Sequence, residues 1–460
     1  MTLTRRTLLS APLLAAEQRR PPNVLMLIAD DMNDYGFFGA YPGVRIPNLD
    51  RFKRSACTFE RAYCASPACV PSRAAVFSGL YPHTTGAYRN GCDPWTKPPL
   101  DKTENMIECF KRNGYTTFGR GKILHAPTAP EREKTMWDNQ YFGGGFGPFP
   151  PKQDLEIPTD RWWGTTAWQR PDSEFPDVPN AEAIIDILAQ KHEKPFFAVY
   201  GLWRPHTPFT APKRFFDMYR PEDMQVPPAG YKEDDLADTP PEARMLSKVW
   251  GERFEATGRN NPASWRRFLH AYAACTTFAD WSLGRVLDAI DASPHANDTI
   301  VVFWSDNGYH CGEKDHWEKT TLWEQSARVP AAIRVPSVTR PGSVCARTIG
   351  LIDIFPTLAE FCRLRTGRVE GRSLAPLCRN PRAKWDRPAL TTYGENYAAV
   401  RDERFRYIRY PDATEELYNH TEDPHEFRNI AGAPASAPIK KRLATLIPGR
   451  FAPTLGGRLG

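Results

Sequence analysis

Cys69-Val70-Pro71-Ser72-Arg73 is the stretch on which the reading of this chain turns. It follows a loop-like segment, residues 63–68, and leads into a short helical pattern over 72–80. Proline is tolerated in the first turn of a helix, where backbone N–H groups have no intrahelical partner. The spacing therefore predicts Cys69 at or beside the N-cap. Free N–H groups and the positive end of the helix dipole then face whatever lies next to its sulfur. Such a place suits a tetrahedral oxyanion. Arg73 stands four residues on, on the same helix face, and helical side chains lean toward the N-terminus. Its guanidinium reaches back toward the same spot as a fork for oxyanion oxygens. A helix-capping cysteine with an ordinary arginine neighbour is the bland alternative.

Outward from this helix, short apolar runs read as buried strands of an α/β sheet. The run 24–29 stops at Asp30-Asp31, and 115–119 is followed by Lys122 and His125. The run 195–200 is followed by His206, and 299–304 by Asp306-Asn307-Gly308. A fifth run, 329–335, follows the polar segment that carries Lys319. Open α/β sheets bind ligands at the carboxyl edge of their strands. The spacing thus predicts that these segments, with the helix at Cys69, converge on one cleft. Helical patterns lie between them at 47–54, 102–113, 181–191 and 271–290.

Asp30, Asp31, Asp306 and Asn307 offer only oxygen donors. Hard cations such as calcium and magnesium favour oxygen, whereas zinc sites use mostly nitrogen or sulfur. Two unrelated turns rich in Asp and Asn would look similar, because such turns are common at strand ends. Both pairs follow a hydrophobic strand, which favours a site.

With 460 residues, the chain has the length of two to four domains. Its 41% hydrophobic and 25% charged residues are those of a soluble globular protein. Lys and Arg number 60 against 54 Asp and Glu, a net charge of +6. That surplus contains no dense basic run and gives no case for nucleic acid. At the N-terminus, Arg5-Arg6 precedes a short apolar stretch, 7–16, too short to span a membrane. It reads as an export signal over 1–20, similar to a twin-arginine signal, and predicts a periplasmic or secreted protein. The ten cysteines show no Cys-x-x-Cys pair and no zinc spacing, so they are expected to be buried or paired.

The stretch at Cys69 resembles the Cys-x-Pro-Ser-Arg signature of type I sulfatases, and residues 74–83 are similar to its continuation. Gly121-Lys122-Ile123-Leu124-His125 is similar to that family's Gly-Lys-x-x-His element, and Pro205-His206-Thr207-Pro208 to its Pro-His-x-Pro element. Within the family the chain looks closest to the iduronate-2-sulfatase-like group, through residues 30–33, 47–50, 204–219 and 308–313. Cys311 stands where leucine is expected, and Asn307 where some relatives carry histidine. The resemblance implies an alkaline-phosphatase-like α/β sandwich, with a large, mixed, mostly parallel sheet flanked by helices. It also implies a small C-terminal antiparallel sheet-and-helix subdomain. A catalytic domain over 21–382 and a C-terminal subdomain over 383–460 are expected, joined at the linker-like 380–384.

The resemblance implies that Cys69 is converted to formylglycine by a maturation enzyme. It also implies that Asp30, Asp31, Asp306, Asn307 and the modified Cys69 hold one calcium ion. Cys69, Arg73, Lys122, His125, His206 and Lys319 are implied as catalytic residues, and Lys122, His206, His316 and Lys319 as substrate contacts. His206, with Lys319, would protonate the departing oxygen, and His125 would take a proton as sulfate is expelled. His316 either contacts substrate or orients Lys319; His83 and Asp315 stand in less distinctive contexts. The expected substrate is a sulfated oligosaccharide or polysaccharide, with a 2-O-sulfated uronic acid as first candidate. Two alternatives stand beside it: a phosphonate monoester hydrolase or phosphodiesterase on the same fold, and a non-catalytic carbohydrate-binding protein. The long stretches 126–180 and 220–264 read as binding loops. Within them Trp162, Trp163 and Trp168 are candidates to stack on sugar rings, and Arg161 or Arg170 to meet carboxylates.

Overall fold

The computed structural model describes residues 20–457, so all of the expected export signal except Arg20 lies outside the described residues. The main sheet is built from eight described strands. These are β1 (Asn23–Asp30), β2 (Cys57–Tyr63), β3 (Thr116–Gly121), β4 (Phe196–Pro205), β5 (Thr299–Ser305), β6 (Arg328–Val329), β7 (Ala331–Arg334) and β8 (Ser343–Gly350). Their order is β6-β2-β7-β5-β1-β4-β3, with β8 also paired to β2. β1, β3, β4 and β5 run parallel, whereas β7 is antiparallel to both β5 and β2. The sheet is mixed and mostly parallel, as expected.

The sequence of β1 explains why it lies at the centre. Asn-Val-Leu-Met-Leu-Ile-Ala-Asp is buried along its whole length, as a strand covered on both faces must be. Alternation then splits its side chains between two cores. Val24, Met26 and Ile28 pack with Val76 and Phe77 of α1 (Cys69–Ser78). Leu25, Leu27 and Ala29 pack against α2 (Asp177–Ala189) and the long α3 (Pro262–Ala292), through Ile184, Leu188, Leu283 and Val286. Ile354, Phe355 and Leu358 of α4 (Ile354–Cys362) join the first core. Each of these Val, Leu, Ile, Met and Phe side chains stabilises the fold by about 1.5–3 kcal/mol when fully buried.

Beyond α4 the chain forms an antiparallel sheet of β9 (Ala389–Gly394), β10 (Tyr397–Arg401), β11 (Phe405–Arg409) and β12 (Glu415–Asn419). Its Val400, Tyr407 and Leu417 pack on Leu443 of α5 (Ala437–Ala444). β2, β8 and β9 were not expected from the sequence. β2 carries Glu60-Arg61 in its middle, and β8 alternates buried with exposed residues, so neither shows a continuous apolar run. All ten cysteines are buried free thiols, which settles the choice left open between burial and pairing.

Candidate active site

The parallel strands deliver their chemistry at one edge. β1 ends in Asp30, and Asp31 follows in the left-handed backbone region at φ 62°. β3 and β4 approach each other so closely that only glycine fits. A Cβ on Gly201 would stand 1.7 Å from the Lys122 carbonyl oxygen, and one on Gly121 would stand 1.9 Å from the Gly201 carbonyl oxygen. The Lys122 N–H donates to that Gly201 oxygen at 2.7 Å and fixes the lysine backbone just past β3. A glycine inside a strand marks close backbone approach, a signal for Gly201 that the sequence reading passed over. After β5, the Asp306 N–H donates to the Ala29 carbonyl at 3.3 Å, and the Ser72 hydroxyl of α1 donates to the Asp306 carbonyl. Cys69 is the first residue of α1, with Ala68 at the N-cap, and the next N–H, that of Val70, donates to Asn90 Oδ1 at 3.0 Å.

These segments meet in a fully buried charge cluster. Asp306 Oδ2 accepts from Arg73 Nε at 2.7 Å, and Asp30 pairs with Lys122. Lys319 Nζ donates to both Asp31 oxygens, at 2.7 and 2.5 Å. Asn307 Nδ2 also donates to Asp31, at 2.7 Å, and His206 Nε2 lies 3.5 Å from it. The Cys69 thiol points at Asp31 Oδ1 from 3.8 Å. Three carboxylates thus face three cations, all out of water, where an uncompensated charge costs several kcal/mol. Burial pushes Asp30 up to about 8 against the pull of Lys122. Burial acts on Asp306 the same way, but Arg73 and Lys122 outweigh it and hold that carboxyl below its ordinary range. Asp31 likewise overcomes burial at Lys319 and raises its ammonium. Burial and Asp30 push Cys69 well up, so the unmodified residue is a neutral thiol and not a thiolate nucleophile.

The ligand atoms of Asp30, Asp31, Cys69 and Asp306 all lie within 4.8 Å of one another. Asn307 Oδ1 is a buried oxygen with no hydrogen-bond partner among the described residues, and Asp30 Oδ1 makes no hydrogen bond there, the Arg73 guanidinium standing 3.5 Å from it. Orphaned buried acceptors beside clustered carboxylates are what an oxygen-coordinated cation satisfies, so the donor set fits a calcium-type ion.

His125 and His206 stand on the open side. Burial lowers both well below the ordinary histidine value, helped at His125 by Lys122 and at His206 by Lys319, so both rings are neutral in the resting protein. His206 Nδ1 faces the Thr207 carbonyl at 2.6 Å, which places its proton there, while His125 Nδ1 is buried without a hydrogen-bond partner among the described residues. Phe146 packs on His206, with ring centroids 4.5 Å apart, and lies under the Lys122 ammonium at 4.7 Å. Above them opens a cavity of about 220 Å³, lined by His125, Phe146, Trp162, His206, Lys319 and Thr320, among others. Asp31, His125, Glu318 and Thr320 all adopt positive φ, and such strain gathers where surrounding structure over-determines a site.

Residues 22–362 match the family model described as Sulfatase, and residues 312–449 match the one described as N-sulphoglucosamine sulphohydrolase, C-terminal. The chain belongs to the sulfatase family. It is 36% identical over 444 residues to a sulfatase of Formosa agariphila, covering 89% of this chain and 83% of that protein. To iduronate 2-sulfatase of Homo sapiens it is 26% identical over 390 residues, covering 75% of this chain and 69% of that protein. A phosphonate monoester hydrolase from Silicibacter pomeroyi has the same fold, with a TM-score of 0.75 at 22% identity over 92% of this chain and 94% of that one. The architecture is the alkaline-phosphatase-like sandwich, and the protein is a sulfuric ester hydrolase.

The other positions singled out in this sulfatase fall apart in space. His316 is fully buried, with Nδ1 2.7 Å from the Ser247 carbonyl and Nε2 2.7 Å from that of Lys319. Both of its ring nitrogens thus face backbone carbonyls, one of them that of Lys319, and it is not among the residues lining this cavity. His83 stacks on Tyr81 and meets Phe451 edge-on. Asp315 lies half-buried with Arg259. Ser72 lies inside the quoted signature, although its bond to Asp306 was not expected, while Asn90 and Phe146 were not legible because they carry no ionisable group and sit in no recognisable pattern.

Proposed function

We propose that this sulfatase removes sulfate from a sulfated carbohydrate, with formylglycine made from Cys69 and a calcium ion held by Asp30, Asp31, Asp306, Asn307 and residue 69. The observation that carries the reading is the meeting of Cys69 with three carboxylates and three cations in one dry cluster under an open cavity. When present, the ion and the aldehyde hydrate supply charge neutralisation and an oxygen nucleophile at a position where the thiol itself stays protonated.

The chain's own residues do the rest. Lys122 and Lys319 neutralise the sulfate ester, and Arg73 keeps Asp306 in place. In its protonated form His206 keeps one proton on the Thr207 carbonyl and gives the other, from Nε2, to the departing sugar oxygen, returning to the neutral ring, with Lys319 beside it. His125, neutral and with Nδ1 making no hydrogen bond among the described residues, would be the base for a proton from residue 69 once that residue is the aldehyde hydrate. Phe146 and Trp162 keep water from this edge.

The likeness to iduronate 2-sulfatase supports a 2-O-sulfated uronic acid as substrate. A formylglycine-generating enzyme would act before export under the 1–20 signal, to the periplasm or beyond. Among the described residues, no helix is long and apolar enough to cross a membrane. We assign 21–382 as the catalytic domain and 383–460 as a subdomain closing one side of the cleft. Because the phosphonate monoester hydrolase shares the fold, the test is a parallel assay of aryl sulfate and aryl phosphonate esters. Preference for the sulfate ester supports the reading; preference for the phosphonate overturns it.

A further inference from the structure

The long loop 126–180 raised three tryptophans and two arginines as possible sugar contacts, and the structure separates them. Trp163 is fully buried in the core formed with Phe209 and Phe268. Trp168 donates to Glu174 at 3.1 Å, and Arg170 is spent on the same carboxylate at 2.9 Å. Trp162 alone of the three lines the catalytic cavity, its ring centroid 6.2 Å from that of His206. Arg161, the residue before it, is exposed and lies over two aromatic rings, 4.6 Å from the centroid of Phe149 and 5.3 Å from that of Trp162.

The cations of this rim are otherwise neutralised. Lys319 is held by Asp31. Arg253, which also lines the cavity, pairs with Glu318 and with Asp160 at 2.7 Å. Arg161 makes no ion pair or hydrogen bond among the described residues; ring faces are its partners. Cation–π attraction holds a guanidinium over the ring faces without using its hydrogen-bond donors, so the N–H groups stay available. They match a carboxylate or a sulfate as a two-pronged donor. The loop is braced as well. Asp160 Oδ1 accepts from the Trp162 N–H at 2.9 Å, while its Oδ2 holds Arg253, whose other partner, Glu318, precedes Lys319. An anchored arginine loses little freedom on binding, so its hydrogen bonds count in full.

We propose that Arg161 is a specificity-determining residue that reads a second anionic group on the substrate, a carboxylate or a further sulfate. Trp162 carries the sugar between that group and the reacting ester. The proposal rests on the sulfatase reading of the site and deepens it: the substrate is a polyanionic saccharide, not a neutral sugar bearing one sulfate.

The test compares the wild-type enzyme with Arg161→Ala and Arg161→Lys on four probes. One is 4-nitrophenyl sulfate, which has no second anion. The second is the 2-O-sulfated uronyl disaccharide released from heparin by a lyase. The third and fourth are that disaccharide after carboxyl reduction and after removal of the glucosamine sulfates. Disaccharides that are not hydrolysed are measured as competitors of 4-nitrophenyl sulfate. In Arg161→Ala, kcat/KM or affinity for the intact disaccharide should fall roughly ten- to hundredfold relative to 4-nitrophenyl sulfate, through KM and not kcat. Arg161→Lys should recover only part, because it keeps the charge and loses the fork. Whichever trimmed disaccharide shows no loss in the variant identifies the group that is read. An unchanged ratio in Arg161→Ala overturns the assignment. So does a wild-type enzyme that hydrolyses 4-nitrophenyl sulfate but neither hydrolyses nor binds the disaccharide. Failure on every sulfate ester by aldehyde-bearing protein would instead overturn the sulfatase chemistry.

Discussion

Lys122 and Arg73 are both fully buried beside carboxylates, yet their losses should read differently. Lys122 pairs with Asp30, the carboxyl that burial already pushes up to about 8, so Lys122→Ala leaves a group that can take a proton. Its expected cost is one preorganised charge donor, about a hundred- to thousandfold in turnover of 4-nitrophenyl sulfate, with a native thermal melt. Arg73→Ala strands Asp306, whose carboxyl is held low by that arginine, and should lose a further ~3–5 kcal/mol of stability. Equal melts for the two variants would contradict this division. His206 gives a pH test. If its imidazolium donates the proton, kcat/KM falls as pH rises through a value that burial and Lys319 have lowered below 6.5. That limb should be steep for an alkyl sulfate and absent for 4-nitrophenyl sulfate, whose leaving group needs no proton. The same limb for both esters would remove His206 from the role.

At the scale of elements, the loop bearing Lys319 is held by the C-terminal sheet. Arg406 of β11 donates to Leu322 O at 3.1 Å and to Glu426 at 2.6 Å, and it also pairs with Glu324. Glu426 accepts the Glu324 N–H at 2.9 Å. Burial would raise both glutamates, but at Glu426 Arg406 leads the opposing pull, and at Glu324 His420 and Arg406 do, so both are held below the ordinary 4.5. A depressed carboxyl stabilises the fold above its unfolded value and loses that contribution as pH falls. Melting temperature should therefore drop steeply as pH falls below about 4.5, and less steeply in Glu426→Gln, which starts from lower stability at neutral pH. Parallel curves for the two proteins would refute it. Much of this element layout was readable. Apolar runs before Asp30 and Asp306 gave two strand ends directly, because a strand buried on both faces must be continuously apolar; β4 continues past the 195–200 run to Pro205, and β3 is buried only at alternate residues. β2 and β8 escaped because charged residues interrupt them, and Phe146 escaped because an irregular loop has no period to read.

For the whole molecule, the decisive feature is charge balance in a dry interior. Asp30, Asp31 and Asp306 are answered by Lys122, Lys319 and Arg73, and the two lysines are the ones proposed above to meet the substrate. A calcium ion among the carboxylates would release those lysines toward the sulfate. Binding only to the folded state, it would stabilise the protein by about 2.7 kcal/mol at a hundredfold excess over Kd. Calcium should raise the melting temperature of chelator-treated protein, and Asp306→Ala should abolish that rise. Identical melts with calcium and with chelator would count against the site. The most direct measurement for the whole account is the fraction of aldehyde at residue 69, read by mass spectrometry of its peptide and set against turnover of 4-nitrophenyl sulfate across preparations. Activity should be proportional to that fraction and absent in Cys69→Ala. Full activity in protein carrying only the thiol would contradict it.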